Sequence, residues 1–157
     1  MKKKTMQAIF ILLFIAGIVA GYLLPGDIKS LTKKPLKAGF YDVAKRMGQL
    51  DLESPYFKYS ILSETETGSI ELIRLDKKIP LHMHPKENHF VYVVKGRAKG
   101  TIGSVSAEIG PGNLIAIPAG VPHSLERIGD SPVELILFST PPFMAGDTVF
   151  VQPQETK

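Results

Sequence analysis

The 157-residue sequence contains no cysteine. That absence excludes a disulfide framework, a cysteine-ligated zinc finger, an iron–sulfur cluster, a thiol nucleophile and a lipid-modified cysteine anchor. Histidine is almost as scarce, with four residues in the whole chain. No Ser–His–Asp arrangement, phosphate-cradling glycine loop, nucleotide fingerprint or helix-turn-helix region can be picked out. Internal repeats and low-complexity tracts are missing as well. What is present suits one ordinary domain with an appendage. Apolar content of 44% with 22% charged residues excludes a wholly disordered chain.

Positive charge is confined to one end. The formal net charge is +4, yet residues 1–37 hold seven lysines and one aspartate, or +6. Residues 38–157 hold twelve basic and fourteen acidic side chains, or −2. The body is therefore mildly acidic, and no nucleic-acid partner is expected for it.

The amino-terminal appendage reads as a membrane segment. Behind the basic residues 1–4, the stretch 5–24 carries no charge, and from Met6 to Leu24 only Gln7 is strongly polar. A helix of that length would span roughly 28 Å, close to the hydrocarbon thickness of a bilayer. It has no polar stripe, which a helix packed on a globular core would show. Two readings remain open: an uncleaved transmembrane anchor and a cleaved signal segment. The apolar run exceeds a usual signal core, and no A-x-A tripeptide follows, so the anchor is preferred. Three leading lysines place the rest of the chain outside the cytoplasm, or secreted if the segment is cleaved. Residues 25–38, with Pro25, Gly26, Pro35 and spaced lysines, form a solvated tether, leaving 39–152 as the folded domain.

That domain is all-β. Strands are predicted at 56–62, 69–75, 89–94, 98–102, 114–117, 123–128 and 133–139, with a last one at 148–151. The breaks between them carry Gly or Pro, as at Gly96, Gly110-Pro111-Gly112 and Pro118-Ala119-Gly120. Short strands with such punctuation suggest a sandwich or barrel. Only 40–50 reads as a helix, with Val43, Met47 and Leu50 at helical spacing, packed on the outside.

All four histidines fall between residues 82 and 123. His82 and His84 are two apart, so an extended chain projects both rings from one face. His89 opens the apolar run 89–94, and His123 follows a Pro/Gly turn and precedes another strand. Neutral imidazole is the commonest ligand for Zn, Fe, Cu and Ni.

The surroundings of these histidines carry a resemblance. His82-x-His84-x4-His89-x6-Gly96 resembles the first motif of the cupin superfamily. Gly112-x5-Pro118-x-Gly120-x2-His123 is similar to its second, and fifteen residues separate Gly96 from Gly112. The resemblance covers roughly residues 50–152 and includes the tail from Phe138 into Asp147-Thr-Val-Phe150. It implies a cupin-type jelly-roll barrel holding one divalent metal ion near its mouth. By that resemblance the ligands are His82, His84, the residue at 89, and His123. Three positions depart from the family pattern. Asp76 stands for an opening glycine, His89 for a glutamate ligand, and Arg127 for a closing asparagine. Glu87 lies near, but His89 holds the matching position and is preferred as the ligand.

Four imidazoles would leave a divalent ion with its full +2 charge, suited to an anionic or enolisable oxygen ligand. A six-coordinate ion would keep two open positions, which fits Fe, Mn, Ni or Cu more than a closed zinc site, although Zn stays open. Arg127 shares strand parity with His123 and would either face inward, binding a substrate carboxylate, or end the strand in water. Tyr92 is read as packing, Glu108 and Glu126 as solvated. The expectation is an exported cupin acting on a small oxygenated molecule, as a dioxygenase-type oxidoreductase or an isomerase. A non-catalytic module for a sugar or metal chelate is the alternative, and a homodimer is a further expectation.

Overall fold

Alternation of apolar and polar residues dictates two facing sheets, and the computed structural model, which describes residue 36 and residues 38–151, contains them. The strands are β1 (Leu52–Glu53), β2 (Phe57–Glu64), β3 (Ser69–Leu75), β4 (Lys78–Met83), β5 (Asn88–Lys95) and β6 (Arg97–Ile102). They continue as β7 (Val105–Ile109), β8 (Leu114–Ile117), β9 (His123–Ile128), β10 (Val133–Thr140) and β11 (Val149–Phe150). One sheet has the order β1-β2-β3-β10-β5-β8, the other β11-β4-β9-β6-β7. Every ladder is antiparallel, and the chain crosses repeatedly between sheets, as a jelly roll does.

Inward parity fills the space between them. Leu75 of β3, Val93 of β5, Ala98 of β6, and Val133 and Leu135 of β10 are essentially inaccessible. These side chains withdraw apolar area from water and fix register, since a one-residue slip would turn them outward. Gly96 makes the tight reversal from β5 to β6 with φ +80°. A Cβ there would collide with the carbonyl oxygen of Pro132, so only glycine closes this corner.

Three local expectations are corrected. The helix predicted over 40–50 is shorter than expected, five residues or little more than one turn, α1 (Val43–Met47). Asp42 caps it by accepting from the Lys45 amide at 3.0 Å, Gly48 ends it, and Met47 is its one buried residue. Strand β4 was hidden by Pro80, which lacks the amide a ladder needs. The ladder of β4 with β9 is irregular between Ile79 and His82, and that irregularity accommodates the proline. Strand β7 was hidden by its exposure, having no buried face to produce a pattern. Among the described residues no helix is long and apolar enough to cross a membrane. The expected basic amino terminus 1–4, membrane segment 5–24 and nearly all of the tether 25–38 lie outside those residues.

Candidate metal centre

Three strands and one loop bring the histidines to a common place. His82 on β4 stands directly across the ladder from His123 on β9, with ring centroids 4.2 Å apart. His84 follows the end of β4, and its carbonyl accepts the Gly120 amide at 2.8 Å, tying the two motif loops together. His89 enters from β5 in the opposite sheet, 4.3 Å from the His84 ring. The remaining recorded separations are 5.1 Å for His82–His84, 5.4 Å for His84–His123 and 6.1 Å for His89–His123. All four residues are buried.

These spacings fit one ion. A nitrogen about 2.1 Å from a metal puts its ring centroid about 3.2 Å away, so rings at right angles sit about 4.5 Å apart and opposed rings about 6.4 Å. Tautomers point the same way. His82 Nδ1 lies 2.8 Å from the Pro80 carbonyl and His123 Nδ1 lies 2.9 Å from the Val121 carbonyl. Each Nδ1 must carry the proton to donate to a carbonyl, which leaves Nε2 with a free lone pair. The same contact, two residues upstream, orients both rings. His84 Nδ1 is buried with no hydrogen-bond partner in the protein, a cost that a ligand would remove.

The four rings are not equivalent. Ligand nitrogens of His82, His84 and His123 form one group within 4.8 Å of one another, while His89 groups with His84 and Glu87. Glu87 is the residue that sequence reasoning set aside, and it is fully buried at 1% exposure. Its Oε2 lies 2.9 Å from His89 Nε2, and its Oε1 accepts the Met144 amide at 2.7 Å. The spacing 87/89 repeats 82/84, a signal that could have found it. Asp147 answers from the other side, accepting the amides of Lys86 at 2.9 Å and Glu87 at 3.2 Å. The segment after β10 is thereby clamped over the histidine loop. Glu71, on the inner face of β3, is also buried and accepts from Ser139 Oγ at 3.1 Å. Its parity with Ile73 and Leu75 marked it inward.

Arg127 does not join them. Its Nη1 donates to the Asp130 carbonyl in the turn after β9, and it lines neither cavity beside the histidines. Glu108 and Glu126 are solvated as expected, each paired on the surface, with Arg97 and Lys78 respectively. Tyr92 faces outward on β5.

Burial sets the electrostatics. Loss of water depresses His82, His84 and His123 below the ordinary imidazole range, aided by repulsion from neighbouring rings. His84 falls to about 3 and His123 to about 4, so both rings are neutral at pH 7. Burial raises the Glu71 carboxyl, opposed by its serine hydrogen bonds. The cavity holding the rings measures about 80 Å³, with Ile73, Leu135 and Leu137 behind and Tyr56, Phe143 and Phe150 also on its walls.

A cupin domain family model matches residues 71–139, the stretch that contains every histidine described above. The chain belongs to the cupin superfamily. This cupin is 30% identical over 81 residues to an uncharacterized protein of Methanocaldococcus jannaschii, covering 52% of this chain. It spans just under two thirds, 65%, of that relative's length. Among solved structures it is similar to a double-stranded β-helix protein from Klebsiella pneumoniae, with TM-score 0.60 and 15% identity. That match covers 74% of this chain and 99% of the other. A nucleoside dehydratase from Streptomyces matches with TM-score 0.58 and 15% identity, over 74% and 92% of the two chains. At such identities the likeness is one of fold.

Proposed function

We propose that this chain is an exported, membrane-tethered cupin that holds one divalent transition metal ion and acts on a small oxygenated molecule. One observation carries the reading: His82 and His123 each spend Nδ1 on a carbonyl two residues upstream and leave Nε2 free, within reach of His84 at a shared cavity. Those three are the primary ligands, and His89 is the fourth, backed by Glu87. The ion, one of Fe, Mn, Ni, Cu or Zn, would supply Lewis-acid polarisation of a bound oxygen.

The protein's own residues do the rest. Carbonyls of Pro80 and Val121 keep two rings in the ligating tautomer. Glu87 returns, one residue further out, the negative charge that imidazole at position 89 removes from the usual ligand set. Apolar walls exclude water and strengthen each electrostatic contact inside. A dioxygenase-type oxidation is favoured within the family, with isomerisation next. Arg127 is dropped as the substrate's carboxylate partner because its guanidinium is engaged at the Asp130 turn.

A second reading, non-catalytic capture of a metal chelate, has one observation in its favour. Beyond the imidazoles, the lining of the histidine cavity offers no carboxylate or amine among the described residues. A homodimer would have a surface to use, since Phe138 and Phe90 pair laterally on the outer face of the larger sheet, beside Tyr92 and Leu114. Oxygen uptake by the metal-loaded full-length chain with enediol or β-diketone substrates separates the two functions. Metal-dependent uptake that His82→Ala abolishes is expected. Tight binding of those compounds with no uptake and no product would leave the capture module.

A further inference from the structure

A second cavity lies beside the histidines, between β6, β7 and β9 of the smaller sheet and β5 and β8 of the larger. It measures about 420 Å³, within the size range of small-ligand sites. Val91, Ile117, His123 and Leu125 line both cavities, so the two spaces adjoin at these side chains. The rest of the lining is chiefly apolar, including Ile102, Ile109 and Ile115, and no charged side chain faces it. Besides His123, only Thr101 and Ser124 bring polar side chains, and the Thr101 hydroxyl already pairs with Ser106 at 2.8 Å.

Gly100 makes room for this space. It sits inside β6, where glycine weakens a strand and often marks close approach by something else. A Cβ at Gly100 would meet Leu125 Cδ2 at 3.6 Å and Ile109 Cδ1 at 3.7 Å, both cavity residues. Those are ordinary contacts without backbone collision, so the strand geometry does not demand glycine here, and a larger side chain at this position would extend into the cavity.

We infer that this cavity takes the apolar tail of the molecule whose oxygenated head meets the histidines. The ligand class is then amphipathic: an alkyl or aryl chain ending in an oxygen-donor group. The inference rests on the metal-site reading above and narrows it. A sugar fits poorly, because its hydroxyls would be buried against hydrocarbon with a single free hydroxyl, Ser124, to meet them. A phosphate or dicarboxylate finds no cation. An alkyl chain loses nothing there and leaves its head beside His123.

The test is calorimetric titration of the metal-loaded full-length chain in lipid nanodiscs, referenced to empty nanodiscs, with straight-chain hydroxamates from acetohydroxamate to decanohydroxamate. Affinity should rise about three- to fourfold per methylene over several carbons and then level off. In Gly100→Leu that rise should vanish while acetohydroxamate affinity and metal content hold. Ala107→Met, at an exposed position on the same cavity, should shorten the rise if Gly100→Leu fails to fold. Acetohydroxamate binding with a flat series would overturn this inference alone. Absence of acetohydroxamate binding would overturn the metal-site reading and this inference with it. A flat series from a dimer that Gly100→Leu makes monomeric would also overturn it, assigning the cavity to a second copy.

Discussion

Replacing His123 with alanine is expected to lower transition-metal affinity by at least about a hundredfold, read by competition against a chromogenic chelator. Loss of a group that merely orients a ligand costs about ten- to a hundredfold, and loss of the ligand itself should cost more. His123 holds this rank because its Nε2 is free, its ring is fixed by Val121, and it opposes His82 across a ladder. His89→Ala should cost less, about tenfold, because the buried Glu87 carboxylate that pairs with His89 Nε2 also falls in one ligand group with His84 and can supply an oxygen donor. Unchanged affinity in His123→Ala would remove the second motif from the site. Equal losses at 89 and 123 would show that Glu87 does not compensate.

The metal-free protein should lose stability steeply as pH falls below the ordinary imidazole range. The sign follows from burial. His84 and His123 titrate at about 3 and about 4 in the fold but near 6.5 when unfolded. Between those values the unfolded chain takes up protons that the folded chain refuses. Stability is therefore complete above the unfolded pKa and declines through the window from 6.5 toward 4. Each such histidine contributes about 1.4 kcal/mol per pH unit, and His82 shifts in the same direction, so the loss reaches several kcal/mol. Glu71 has the opposite sign: its raised carboxyl stabilises the fold at low pH and loses that contribution as pH rises through its folded value. Urea midpoints of the metal-free chain between pH 7 and 4 check the balance. A midpoint independent of pH over that range would mean the rings are hydrated and the cavity is not closed.

Much of this fold was legible because burial writes itself as alternation. Strands β3, β8 and β9 have the predicted bounds, and β5 and β10 differ only at their ends. The histidine spacings singled out the four rings that the fold brings together, and Gly96 marked the reversal from β5 to β6. The missing pieces share a cause, which is that they depend on register between distant segments. Pro80 looked like a strand breaker until its pairing with β9 placed it at an irregularity. There its carbonyl fixes His82. Glu87 was passed over for His89 because the clamp that buries it comes from Met144 and Asp147, some sixty residues later. Arg127 had the right parity, yet its long side chain reached the Asp130 carbonyl instead. Parity tells which face a residue occupies, not which neighbour claims its charge.

The most direct measurement is X-ray absorption at the edge of the bound metal in the full-length chain. The account predicts one ion per chain with at least three imidazole nitrogens at about 2.0–2.2 Å, and a reduced imidazole contribution or loss of the ion in the His82→Ala, His123→Ala double variant. A shell of oxygen atoms alone, or a spectrum unchanged by those substitutions, would contradict it.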